Sequence, residues 1–135
     1  MSAAALAASR QRLGERADDV DWVVSDVLAW RPESRYEIWH DRAVLHFLTD
    51  PADQARYAEV VDAALEPGGH VVIGTFAPDG PGACSGLPVQ RHGAASVLAL
   101  LGLSGRRFEP VDARSEDHVT PAGAVQKFSW VVARG

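Results

Sequence analysis

One stretch constrains the rest of the chain: Tyr36-Glu-Ile-Trp-His-Asp-Arg-Ala-Val-Leu-His-Phe-Leu-Thr-Asp-Pro51. Tyr36 to Trp39 reads as a buried strand, the polarity changes abruptly at His40, Asp41 and Arg42, and Thr49-Asp50-Pro51 is a helix-start signal. A strand, then charged residues, then a helix is how an open α/β sheet presents groups to a ligand, which lies beyond the carboxyl ends of the parallel strands. Asp41 and Arg42 are expected at that rim.

The flanking segments fit an alternating α/β layout. Residues 2–13 read as a helix that Ser2 can cap and Gly14 can end. Val20 to Ser25, with Trp22, Val23 and Val24 in succession, reads as a strand buried on both faces. Residues 51–65 carry Tyr57, Ala58, Val61, Ala64 and Leu65 at helical spacing, and Pro67-Gly68-Gly69 stops that helix. His70 to Phe76 reads as a third buried strand, followed by a glycine- and proline-rich loop over 77–89. A short helix is expected over 93–101. Two strands over 107–114 and 125–133 follow, antiparallel because only a loop, 115–124, joins them.

Length and charge narrow the function classes. A chain of 135 residues makes one domain, 1–135, and buries roughly two thirds of its unfolded surface. A net charge of −5 argues against nonspecific nucleic-acid binding, which needs a basic footprint. Cys84 stands alone, so no internal disulfide forms. No apolar run approaches the ~20 residues that span a bilayer, and the N-terminus lacks a basic region before its small apolar run. These features predict a cytoplasmic protein without a membrane partner. The histidines show no HxxH or HExxH spacing, so no metal site is expected.

Three segments together resemble the class I, Rossmann-like S-adenosylmethionine-dependent methyltransferases. Val23-Val24-Ser25-Asp26-Val27 is similar to the family's third-strand motif. Tyr36 to Asp50 resembles its fourth-strand motif and the segment after it, which in many members reads like "FDLVVSNAVLHHLPD". Leu65-Glu66-Pro67-Gly68-Gly69-His70-Val71-Val72-Ile73 looks like its "LKPGGxLVI" turn into the fifth strand. The three fall in family order, and the closing strand pair ends in Phe128-Ser129-Trp130. His-Asp-Arg in the fourth-strand motif resembles a subset acting on small molecules.

The resemblance implies a mostly parallel sheet with an antiparallel C-terminal strand pair, S-adenosylmethionine as cofactor and a small-molecule methyl acceptor. It implies cofactor contacts by Ser25, Asp26, Val27 and Asp41, and substrate contacts by Arg42, His46, Cys84 and Ser85. Methyl transfer from a sulfonium is an in-line displacement that depends mainly on alignment. Where the acceptor carries a proton, Asp41 or His46 is the candidate base, and Arg42 suits an anionic acceptor. His40 and His118 are weaker candidates for the site, and His70 is expected to be structural. Each candidate also has a plainer reading: Asp26 as a turn residue, Asp41 and Arg42 as a surface ion pair, His46 as a core histidine. The four tryptophans read as core rather than an aromatic cage.

The chain departs from the family at its start. Members begin with a strand, a GxGxG turn, a helix and a second strand ending in the acidic residue that holds the ribose; none of these is present, and Gly80-Pro-Gly82 reads as a loop. Met1-Ser-Ala-Ala-Ala-Leu6 resembles the family's "D-[ILM]-S-xx-AL" passage after that second strand, so Met1 is expected to be an internal methionine of a longer protein. The expectation is a fold lacking its first two strands, with weak or no cofactor binding by the isolated chain. Completion would come from an N-terminal segment or a homodimer. The alternative is a non-catalytic methyltransferase-like domain.

Overall fold

The computed structural model describes residues 2–135, which divide into two compact units, one ending at Trp30 and the other Arg31–Gly135. Met1, expected to be an internal methionine, lies outside the described residues.

The first unit holds helix α1 (Ala3–Leu13) and a 3-10 segment, Gly14–Asp19. Ser2 occupies the N-cap with extended backbone but makes no side-chain cap, and Gly14 ends the helix at φ +58°, as a glycine is suited to do. The strand expected over Val20 to Ser25 does not form: residues 21–26 have no regular structure, and Val23 and Val24 are 51% and 59% exposed. A continuous apolar run makes a strand only where neighbours satisfy its backbone and cover its faces, and these residues take part in no ladder. The chain closes instead in a turn at Asp26, whose Oδ1 accepts the Leu28 N–H at 2.9 Å while its carbonyl accepts from Ala29 and Trp30.

The second unit is a four-stranded sheet of order β1-β2-β6-β5, with β1 at Tyr36–Arg42, β2 at Leu65–Phe76, β5 at Glu109–Val119 and β6 at Val125–Arg134. β1 and β2 are parallel, whereas β2/β6 and β6/β5 are antiparallel. The antiparallel closing pair is as expected; "mostly parallel" does not hold among the described residues, because the strand that would have extended the parallel side is absent. β1 is therefore an edge strand. Its expected burial is corrected too: only Asp41 is buried, and Ile38 is 61% exposed. The closing strands run longer than expected, leaving a five-residue connection over 120–124.

Helix α2 (Pro51–Ala64) starts as predicted: Asp50 caps it by accepting the Ala52 N–H at 2.8 Å, and Pro51 fills the first turn. Tyr57, Ala58, Val61 and Ala64 are buried along its stripe, with Val60 added. Pro67-Gly68-Gly69 does not simply end the helix. It sits inside β2 as a bulge: pairing jumps from Tyr36↔Leu65 to Ile38↔His70, with Gly68 at φ +78°. Helix α3 (Ala94–Leu101) ends at Gly102 as expected. The core consists of α2, α3, Leu45, Val71, Ile73, Phe76, Phe128 and Val131. The tryptophans are half-buried rather than core.

Candidate functional site

The carboxyl ends of the parallel pair β1 and β2 lie at Arg42 and Phe76, and the chain turns sharply after each. After β1, Ala43 adopts φ +65°, a costly conformation for a residue with a Cβ. Its N–H bonds the Gly74 carbonyl at 2.8 Å, and a 3-10 turn, Leu45–Phe47, follows.

Asp41 holds this turn. Its Oδ1 accepts the Val44 N–H at 3.0 Å, and its Oδ2 accepts the Leu45 N–H at 3.1 Å and the Tyr57 hydroxyl at 2.6 Å. Tyr57 in turn accepts from the Trp39 indole at 3.0 Å. Burial pushes the Asp41 carboxyl up, opposed by these hydrogen bonds, and burial beside Asp41 pushes the Tyr57 phenol up. Asp41, expected to face cofactor or act as base, is 5% exposed, and its carboxylate accepts from the backbone and Tyr57. The surface ion pair with Arg42 does not form, because the two side chains leave opposite faces of the strand. Arg42 is exposed, with its guanidinium 4.8 Å from the centre of the Phe128 ring.

Phe128 joins a series of rings at this end of the sheet. His118, placed on β5 rather than in a loop, stands edge-on to it at 6.1 Å, and Phe76 does so at 5.0 Å. His46 lies 4.4 Å from Phe76 and 4.6 Å from Phe47. His46 is fully buried, so its expected substrate contact does not occur in this conformation, and neither ring nitrogen has a hydrogen-bond partner. Burial, with a smaller contribution from His92, lowers its pKa to about 4. His40 is exposed, 6.0 Å from Trp130, and His70 starts the regular part of the β2 ladder, away from this rim.

Cys84 and Ser85 belong to a minimal hairpin, β3 (Ala83–Cys84) and β4 (Leu87–Pro88), in the segment expected to be a loop. Ser85 at φ +51° and Gly86 at φ +79° are its two turn residues, the positive pair that a two-residue hairpin favours. Cys84 is half-buried, with its Sγ 4.0 Å from the Ser85 hydroxyl.

Ser25, Asp26 and Val27 lie in the first unit. The Ser25 hydroxyl donates to the Asp26 carbonyl at 3.0 Å, and one Asp26 oxygen is taken by Leu28. The chain carries no GxGxG pattern. Sequence reasoning passed over Thr75 and His92, both buried with unpartnered polar atoms. The signal available was a polar residue in an otherwise apolar strand and a histidine just before a helix. Among the described residues, no group of metal-ligating side chains is present and no helix is long and apolar enough to cross a membrane.

No protein-family model matches the chain, and no curated protein matches it in sequence. Solved structures do. The chain is similar to the Burkholderia thailandensis 1,6-didemethyltoxoflavin-N1-methyltransferase, solved with 1,6-didemethyltoxoflavin and S-adenosylhomocysteine: 28% identity, TM-score 0.67, covering 95% of this chain and 55% of that one. It is similar to the Bradyrhizobium japonicum N-methyltransferase NodS in complex with S-adenosyl-L-homocysteine at 15% identity and TM-score 0.69, covering 99% of this chain and 63% of that one. A Methanosarcina mazei S-adenosylmethionine-dependent methyltransferase aligns at 14% identity and TM-score 0.62, over 83% of this chain and 65% of that one. The chain thus carries the Rossmann-like methyltransferase fold and spans less than two thirds of the length of these proteins.

Proposed function

We propose that this chain is the C-terminal portion of an S-adenosylmethionine-dependent methyltransferase acting on a small molecule. The observation that carries this reading is the alignment of nearly the whole chain on a small-molecule methyltransferase at 28% identity, with β1, β2 and the β5/β6 pair in family order. The cofactor, when bound, supplies the electrophilic methyl group. Asp26, Ser25 and Val27 are the residues of this chain proposed to meet its adenine side. Arg42, exposed on the rim, is proposed to hold an anionic or electron-rich acceptor, and Cys84 and Ser85 of the hairpin are proposed as further acceptor contacts. His46 joins them only if the turn Leu45–Phe47 opens, and Asp41 positions that turn.

Completion by an N-terminal segment is part of the proposal. Among the described residues β1 pairs with β2 alone, and Tyr36 and Ile38 on it are exposed, so its outer edge is the place proposed for another strand. A second copy of the chain could take the same edge. The competing reading, a non-catalytic domain or split-enzyme partner, is favoured by the lack of a GxGxG pattern.

Calorimetry with S-adenosylhomocysteine decides between these readings. The chain alone is expected to bind weakly or not at all, and addition of a segment carrying a GxGxG strand and turn is expected to restore binding. Saturable micromolar binding by the chain alone would show that it needs no completion. Absence of binding with the added segment would leave the non-catalytic reading.

A further inference from the structure

The sheet has a second open edge, on the side away from β1. Among the described residues β5 pairs with β6 alone, so along its outer edge every second residue keeps a backbone N–H and C=O outside any ladder. Every residue of the strand except His118 is exposed. Native sheets ordinarily blunt such an edge with lysine, proline, a bulge or a covering element. β5 does this only at its start, where Pro110 stands and the register with β6 shifts between Pro110 and Asp112. From Asp112 to Val119 the ladder is regular.

The charges on that regular part match themselves in reverse order. Asp112, Arg114, Glu116 and His118 alternate along the strand and so share one face of the sheet. Bring two copies together antiparallel, with a two-fold axis at Ser115. Arg114 then stands opposite Glu116 of the second copy, Asp112 opposite His118 and Ala113 opposite Asp117, and the axis makes each contact twice. Directly opposite side chains are close enough to bond. Glu116 already accepts the Trp130 indole N–H through Oε2, which fixes its carboxylate on this face and leaves Oε1 for the arginine. Asp112 opposite His118 sets an acceptor against a ring that carries an N–H.

Other registers fail. Opposite residues must share a face, so the axis passes through a residue and never between two. An axis at Asp112, Arg114, Glu116 or Asp117 sets a charged residue against its own copy. An axis at Ala113 pairs Asp112 with Arg114 but sets Glu109 against Asp117 and draws Pro110 into the ladder. Within this span only the axis at Ser115 opposes no like charges.

We propose that two copies of this chain associate through β5, with Ser115 on the axis, and join their four-stranded sheets into one continuous sheet. The shared segment is short, so the dimer forms reversibly with concentration. β1, the edge proposed for completion, stays free, and a failure to bind S-adenosylhomocysteine would leave this association standing.

Sedimentation equilibrium of the full chain at low salt is expected to show a mass that rises with concentration from one chain to two, and high salt is expected to lower it. Arg114→Glu sets like charges opposite each other on both sides of the axis and is expected to weaken the dimer about tenfold. Arg114→Glu with Glu116→Arg restores opposite charges and is expected to recover it, which a misfolded single variant would not do. In a Cys84→Ser background, Ser115→Cys is expected to form a disulfide with its own copy under mild oxidation, because the two side chains meet on the axis. Ala113→Cys, displaced along the strand from its copy, is expected not to. A mass of one chain at every concentration would overturn the proposal. So would a dimer that Ser115→Cys does not lock, or one that Ile38→Cys on β1 locks instead.

Discussion

The Tyr57 hydroxyl donates to Asp41 Oδ2 at 2.6 Å, linking the stripe of α2 to the carboxyl end of β1. The same hydroxyl accepts the Trp39 indole N–H, and the same carboxylate accepts two backbone N–H groups of the turn that leads to His46. Removing one member of a buried network leaves the others unsatisfied. Tyr57→Phe keeps the ring but strips Asp41 and Trp39 of their shared partner. We expect a loss of about 1–3 kcal/mol, read from urea unfolding followed by tryptophan fluorescence. A loss below a few tenths would mean that the network does not hold the turn.

Gly74 and Trp130 face each other across β2 and β6, and a Cβ on Gly74 would stand 2.8 Å from the indole ring. Glycine here serves close approach, since its φ is not positive. Gly74→Ala is expected to push the indole aside at a cost of about 1–3 kcal/mol, the usual range for overpacking. Trp130→Leu in the same chain should recover part of that loss, and additive effects in a double-mutant cycle would show that the indole is not what alanine meets.

The hairpin that carries Cys84 depends on two positive φ angles. Gly86→Val places a β-branched residue at φ +79°, which costs about 1–2 kcal/mol and should open the hairpin. Faster alkylation of Cys84 than in the parent chain is the expected result, with the global unfolding midpoint little changed because the hairpin is a separate two-stranded sheet. Unchanged alkylation would mean that the turn does not control access to the thiol.

Local signals carried much of the fold. Asp50-Pro51 announced α2, the spacing of Tyr57, Ala58, Val61 and Ala64 gave its buried face, and the uninterrupted run from His70 to Phe76 gave a central strand. Val20 to Ser25 carries an equally strong local signal and forms no strand, because strand formation depends on a neighbour that the segment's own residues do not supply. Asp41 was readable as a polar residue at a strand's end, but its commitment inward to Tyr57, sixteen residues on, is a tertiary fact. Thr75 and His92 were hidden for the same reason. Each looks ordinary in its own segment, and only the fold leaves its polar atom buried without a partner.

His46 sets the acid response. Its pKa falls from 6.5 in the unfolded chain to about 4 in the folded one, so between those values the unfolded chain binds more protons. Its contribution is thus fully present above pH 6.5 and is lost as pH falls towards 4; His92, also lowered by burial, acts with the same sign. Asp41 opposes them, because a carboxyl raised by burial favours the folded state at low pH and loses that contribution as pH rises through its folded pKa. With the His46 shift large and His92 adding to it, stability should fall on acidification from pH 6.5 to 4. His46→Phe replaces an imidazole whose two nitrogens have no partner by a ring of similar shape between Phe47 and Phe76. It should raise stability at pH 7 by about 1–3 kcal/mol, the cost of a buried unsatisfied polar group, and flatten the acid limb. Urea midpoints at pH 7, 6, 5 and 4 for both chains check this. A parent chain whose stability is flat or rising on acidification would show that His46 meets a polar partner in solution.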